Sequence, residues 1–585
     1  MYPMVDFTPE TTAPPGGLRR SIGKRDRRGG HLTAATPLSE LESYVGLQRA
    51  GRELGCLLVV MAVVTLEMVH IAHTPGLTQK FLFSSDSLTL ALLRESIARH
   101  EPLHPVMSSQ LLIFPEAVLY LLSSLLTTSV RASLVMNAYV NVLLLYVLLR
   151  GISHFLTRRD RVAAATCCLI STSYTLLENS ASKLIASFYL FNTYYSGVVI
   201  FGLFSVLIAL WQLSARSTAR KHVFVTTGAI LLIGLAAASD ALVFVEVSVP
   251  LLATIAVLAA ARAVRLRKAM LLAATQMTAA FLGYLLRIPL HRLFGFQNYA
   301  GYIRYGRATR TFVTLMRIAG SIISTGGGLL EVAAILSVVG WAAVLSWRCL
   351  FRYRPIGDSP PAPTALVAVF SLLSPLAIVG ATVLTGNYAI RYLIPVAIFP
   401  FTALLVVFNC QIGWARRLAR FHPALVGAVA LIVVGSFSAA RIQPLVSSVP
   451  SPDARCLSAV LGGRPADGLA GYWTSRPLDL YGQHDERVLQ VTTGIAPFPN
   501  GLTPFLWLVN AGEYENKHFT FVLVDRRLGL NDLTVANVET LGRPSAIEGC
   551  PTFWVYRYEP GSTAYATLNS EMTNALTFDL KRQTA

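Results

Sequence analysis

The 585-residue chain is 54% hydrophobic and only 14% charged. Together with a mean hydropathy of +0.54, this excludes a disordered chain and argues against an ordinary soluble multidomain protein. The net charge of +18 raises the question of nucleic acid. However, the basic residues fall in short breaks between apolar runs and are not interleaved with base-stacking aromatics, so no nucleic-acid partner is expected.

Residues 1–53 carry Pro14, Pro15 and a basic run from Arg19 to Arg28 with little apolar content, too little to offset the entropy of folding. They are expected to form a disordered cytoplasmic tail. Residues 54–440 form the membrane domain, built from apolar runs of the length that a hydrocarbon layer requires of a helix. Basic clusters at Arg158, Arg159 and Arg161, at Arg216, Arg220 and Lys221, at Arg262 to Lys268, at Arg348 to Arg354 and at Arg416 to Arg420 belong on the inside.

About eleven spans satisfy those clusters, with the N-terminus inside and the C-terminus outside. They lie near 54–73, 132–150, 162–177, 188–214, 223–239, 241–261, 269–286, 325–347, 363–384, 393–414 and 422–440. Leu111 to Thr128 is apolar enough to cross, but a crossing there would invert everything downstream, so it is read as a helix lying on the outer surface. It belongs to a long first external loop, residues 74–131, whose polar and amphipathic stretches are expected to shape a cavity at the interface. Asp86, His104 and Glu116 are its candidate functional residues.

Acids inside the spans, Glu67, Asp240, Glu246 and Glu331, are costly against lipid and are expected to face protein or a wet cavity. Glu67 and His70 share a helix face and are placed to hydrogen-bond.

Residues 441–585 read as a separate external α/β domain. Arg487 to Thr493, Phe519 to Val524 and Phe553 to Tyr558 have strand composition, and Leu502 to Asn510 reads as a short helix. Cys456 and Cys550 are its only cysteines. A disulfide between them, closing a loop of roughly 95 residues in an oxidising compartment, is set against two buried free thiols. No CxxC or Cys/His spacing suggests zinc.

Two local motifs sit on this framework: Ser85-Asp86-Ser87-Leu88 soon after the first span, and Asn387-Tyr388-Ala389-Ile390-Arg391-Tyr392-Leu393-Ile394-Pro395 at the outer edge of a late one. With the long first loop, many spans and external C-terminal domain, they resemble the GT-C superfamily of membrane glycosyltransferases. That superfamily includes protein O-mannosyltransferases and the bacterial enzyme that places aminoarabinose on lipid A. The resemblance implies a mainly α, polytopic GT-C-like fold and a donor sugar carried on polyprenyl phosphate. Its common paired acidic motif is absent, since serines flank Asp86, so no metal and no other cofactor is predicted.

The resemblance further implies that Asp86 is the general base, with Glu116 as the second candidate. The loop before the eighth span carries Arg287, His291, Arg292, Arg304, Arg307 and Arg310 against the positive-inside trend. Arg304, Arg307, Arg310 and Arg391 are the candidates to hold donor phosphate. Tyr302, Tyr392 and His104 are candidates for the substrate cavity, with Tyr299 and Tyr305 nearby. The expected acceptor is an envelope lipid, glycan or protein on the outer face of a bacterial inner membrane.

Other readings remain open at this level. Asp86 would serve equally as a helix N-cap, and the arginines as a belt for anionic headgroups. The four intramembrane acids would suit a transporter or flippase of lipid-linked sugars, and the external domain a noncatalytic envelope-binding subunit.

Overall fold

The computed structural model describes residues 38–108, 110–157, 160–177, 187–190, 195–214, 218–296, 304–352, 361–386, 389–409, 450–495, 498–526 and 533–584, with a few isolated positions between 427 and 446. Contacts divide the chain between Ala50 and Gly51, and the architecture below is that of the unit Gly51–Ala585. The protein is a multi-pass helical membrane protein. Among the described residues, 9 helices are long and apolar enough to cross a membrane.

Those helices match nine of the expected spans. Of the other two, 162–177 is a helix, Asp160–Leu177, that begins with Asp160 and Arg161 and does not reach the apolarity of the nine. The span expected at 422–440 lies almost wholly outside the described residues. The polar tail was expected to run to residue 53, but Leu38–His73 is one continuous helix. The candidate crossing itself begins at Gln48, before the expected start at 54.

Ile113–Leu125 is too short to cross. It leaves Val118, Leu121, Leu122 and Leu125 exposed, as a helix resting in an interface would. The intramembrane acids Glu67, Glu246 and Glu331 are buried in protein. The expected Glu67–His70 bond is not made: Glu67 Oε1 and His70 Nε2 are both buried without a partner, because spacing along a helix brings two side chains near without fixing their rotamers.

The strands are β1 (Pro105–Met107), β2 (Gly295–Phe296), β3 (Asp467–Gly471), β4 (Arg487–Ile495), β5 (Phe498–Pro504), β6 (Val509–Asn510), β7 (Phe519–Asp525), β8 (Ala546–Gly549) and β9 (Phe553–Arg557). The C-terminal domain is a six-stranded sheet ordered β5-β4-β3-β7-β9-β8. Its central strands β4, β3 and β7 are parallel, and the helix Tyr472–Tyr481 makes the crossover from β3 to β4. Alternation along β7 sends Val522 and Val524 to one core and Phe521 and Leu523 to the other, so the sheet is covered on both faces.

Cys456 and Cys550 form a disulfide, tying the helix Pro452–Val460 to the turn between β8 and β9. Leu502 to Asn510 is not the expected helix. It holds the end of β5, an irregular segment and β6, because β4 offers Val491, Thr492 and Thr493 as antiparallel partners to Pro504, Thr503 and Leu502.

A second sheet binds the domain to the membrane part. In the order β2-β1-β6, first-loop strand β1 pairs in parallel with β2, which follows the span Leu266–Leu293, and antiparallel with β6 of the C-terminal domain. These three segments therefore meet at one end of the bundle.

Candidate functional site

Asp86 lies in the turn between the helices Pro75–Leu82 and Thr89–Ala98. Its side chain does not cap the second helix, whose N-cap position is Leu88 with no side-chain cap bond. Only the Asp86 backbone oxygen serves that turn, accepting from Thr89 Oγ1 at 3.0 Å. The carboxylate turns toward two partners distant in sequence. Oδ2 forms a close ion pair with Arg391 Nη1, and Oδ1 accepts from the Tyr472 hydroxyl at 2.6 Å. The neighbouring Ser85 Oγ donates to the Tyr472 carbonyl at 2.7 Å, so Tyr472 is held at both ends.

Each partner is positioned by its own element. Arg391 sits at the start of the late span Arg391–Phe408, after a turn at Gly386. That turn packs on the arginine loop: Arg304 N donates to the Thr385 carbonyl at 2.5 Å. Gly386 adopts φ +67, and a Cβ there would stand 2.1 Å from the Arg304 carbonyl oxygen, so glycine is required twice over. Tyr472 opens the helix after β3, its ring edge-on to Trp473 and Phe505 at 4.9 and 5.5 Å. Ligand sites in parallel sheets commonly sit at such strand ends.

Arg391 also stands 5.8 Å from the Tyr195 ring centroid, and the Tyr195 and Tyr392 rings are 5.4 Å apart. Tyr195 immediately precedes the span Ser196–Ser214, whose first turn holds the second acid: Gly197 N donates to Glu116 Oε1 at 3.0 Å. A Cβ on Gly197 would lie 2.4 Å from that oxygen. Glu116 is fully buried, and its Oε2 has no partner. Burial first, then the charge of Asp240, pushes its pKa up to about 8.

Asp240 ends the span Ala219–Ser239, buried with Oδ2 unpartnered, and burial pushes its pKa up to about 7. The segment leading to Glu116 is stapled to the same helix end. Leu111 N donates to the Ser239 carbonyl at 2.8 Å, and Ile113 N and Phe114 N donate to Ser239 Oγ at 2.8 and 2.9 Å.

The seam between the first loop and the C-terminal domain carries a buried charge cluster. Arg487 pairs with Glu101 of the first loop, with Asp479 at 2.7 Å and with Glu513 at 3.5 Å, and Ser96 of the first loop donates to Glu513. Burial and the charge of Asp479 raise the Glu513 pKa to about 7, against the pull of Arg487.

Of the sequence candidates, the structure brings together Asp86, Arg391 and, through Tyr195, Tyr392. Arg304 and Arg307 are exposed on the adjoining loop, next to the turn that presents Arg391, and Arg310 is exposed in the first turn of the helix Ala308–Ile323 that follows. His104 sits on the seam with the C-terminal domain, where its backbone N donates to Asn510 Oδ1 at 2.7 Å and its ring lies 3.5 Å from Glu515. Tyr302 lies outside the described residues. Among the described residues, no cluster of three or more His, Cys, Asp or Glu side chains is arranged to hold a metal ion. Sequence reading missed Tyr472. Its available signal was an aromatic pair, Tyr472-Trp473, directly after a glycine-ended strand.

No protein-family model matches the chain, and no curated protein matches it. Among solved structures, the chain is similar to ArnT from Cupriavidus metallidurans in the apo state, at 13% identity and TM-score 0.46, covering 91% of this chain and 99% of that one. It is also similar to the Archaeoglobus fulgidus oligosaccharyltransferase in complex with Zn and sulfate, at 13% identity and TM-score 0.40, covering 88% of this chain and 76% of that one.

Proposed function

We propose that the protein is a GT-C-type glycosyltransferase of a bacterial inner membrane that moves a sugar from a polyprenyl-phosphate donor to an acceptor hydroxyl on the external face. The observation that carries this reading is the meeting of Asp86 with Arg391 and Tyr472. An acid from the long loop after the first span is held by a cation at the mouth of a late span and by a phenol from the C-terminal domain.

In the reaction, the acceptor oxygen attacks the anomeric carbon and gives its proton to Asp86. The bond from that carbon to the donor phosphate breaks, and the phosphate leaves with the electron pair. Arg391 and Tyr472 fix the carboxylate's orientation, so the acceptor hydroxyl meets an acid that is already aimed. Arg391 has further N–H groups on its planar fork, suited to phosphate oxygens. Arg304 and Arg307 on the adjoining loop and Arg310 at the start of the next helix supply the electrostatic field that draws a lipid phosphate in. The glycan or lipid acceptor enters from the side of the C-terminal domain, which this reading places outside the cell.

The test is sugar transfer from polyprenyl-phosphate donors by purified Asp86→Asn enzyme. Asn retains the shape and the Tyr472 contact but cannot take the proton, so transfer is expected to fall about 10²-fold or more with the thermal unfolding midpoint nearly unchanged. Full transfer by a well-folded variant overturns the assignment.

A further inference from the structure

Three residues before Asp86, Phe83 lines an open cleft of about 410 Å³ where the first loop, the start of the span Val130–Leu156 and the C-terminal domain meet. Its volume falls within the roughly 300–1,000 Å³ usual for small-ligand sites. The mechanism above does not use it. Trp473 lines it with 44% of its surface exposed, although tryptophan is ordinarily well buried. This indole is the residue next to Tyr472, so whatever rests on it lies beside the group that holds the catalytic carboxylate.

The other lining groups define the occupant. One cation, Arg131, and one anion, Asp453, line the cleft, so it has no net charge to attract a phosphate or a polyanion. Arg131 is turned onto the Phe83 and Tyr481 rings, at 5.2 and 4.9 Å. Asp453 Oδ1 is buried with no partner, an acceptor awaiting a donor. Gln79, Ser451 and Thr552 add amide and hydroxyl groups around it. An apolar platform, an unsatisfied acceptor and neutral hydrogen-bonding groups together match a neutral sugar. Its C–H face is attracted to the negative face of an indole, and its hydroxyls donate to carboxylate oxygens.

We propose that this cleft binds the neutral oligosaccharide portion of the acceptor, with Trp473 as its stacking platform and Asp453 as a hydroxyl acceptor. Its role as an acceptor subsite rests on the transferase reading; sugar binding itself does not.

The experiment is calorimetric titration of the purified full chain in detergent with a panel of neutral mannan-, arabinan- and glucan-derived oligosaccharides, uronic-acid oligosaccharides and unstructured Ser/Thr-rich peptides. A neutral oligosaccharide is expected to bind. Trp473→Ala is expected to raise its Kd about tenfold, Asp453→Asn to raise it several-fold, and Trp473→Phe to recover part of the loss. Trp341→Ala, altering an exposed tryptophan on the span Gly328–Phe351 that does not line the cleft, should leave the Kd unchanged. Binding of no neutral oligosaccharide, preference for a peptide, or an unchanged Kd for a folded Trp473→Ala variant each overturn the proposal. If Trp473-dependent sugar binding holds while the parent transfers no sugar from any polyprenyl-phosphate donor, the transferase reading falls and sugar binding at the cleft stands. If Asp86-dependent transfer holds while Trp473→Ala keeps both Kd and acceptor KM, the cleft alone falls.

Discussion

Asp86 and Glu116 stand in the same loop, yet their surroundings are opposites. Asp86 meets a guanidinium and a phenol hydroxyl; Glu116 meets one backbone N–H and the field of a second acid, with one oxygen unpartnered. A carboxylate gripped by a guanidinium and a phenol is held in one orientation, the geometry needed to meet an acceptor hydroxyl. A buried carboxylate facing another acid is pushed toward its neutral form, and its hydrogen bond to Gly197 fixes a helix start. Residue type alone makes the two interchangeable; their neighbours give them different work.

The sharpest way to break this contrast is to remove the cation. Arg391→Ala should lower transfer about 10²- to 10³-fold, the usual effect of losing a preorganised electrostatic contact. Arg391→Lys should recover only part of it, because an ammonium cannot fork between carboxylate and phosphate. Measured kcat and donor KM check both, and equal rates for Arg391→Ala and the parent would detach Asp86 from its partner functionally. A smaller effect is expected from Tyr472→Phe, which deletes one hydrogen bond to a charged acceptor and leaves Ser85 bound to the Tyr472 backbone. That bond is worth about 1.5–3 kcal/mol at most, so a rate loss of about tenfold with unchanged donor KM marks Tyr472 as a positioning residue. Loss of the fold on thermal denaturation would mark it as structural instead.

The smallest effect concerns Glu116 and appears in pH dependence. Its folded pKa, about 8, lies above the roughly 4.3 of an unfolded glutamate. The folded state therefore holds the extra proton between those values, and stability falls as pH rises from about 5 through 8. Glu116→Gln, which keeps an oxygen for Gly197 N, should flatten that slope and unfold at a higher temperature than the parent at pH 8. Identical slopes for variant and parent in detergent would mean that Glu116 is ionised throughout.

Hydrophobic run length made most of the spans readable, because a helix in hydrocarbon must satisfy its own backbone and so carries its signal locally. The same holds for the C-terminal strands at Arg487, Phe519 and Phe553, whose composition is unambiguous, and for Cys456 and Cys550, the only cysteines in their domain. Leu502 to Asn510 was misread because a short apolar run fits either element, and the partner strand β4 decided between them. For Asp86, a local reading allowed a helix cap. The cap was not used, because Arg391 and Tyr472, 305 and 386 residues away, offer the side chain stronger partners.

Sequence by itself thus determined the solvent, the number and order of most crossings, the long loop and its acids, because each rests on composition within one segment. Tertiary structure alone decided which acid met a cation and which met another acid, that Tyr472 holds Asp86, and that β1, β2 and β6 join three distant segments. These are contacts between surfaces brought together only by folding, where no residue carries the identity of its partner.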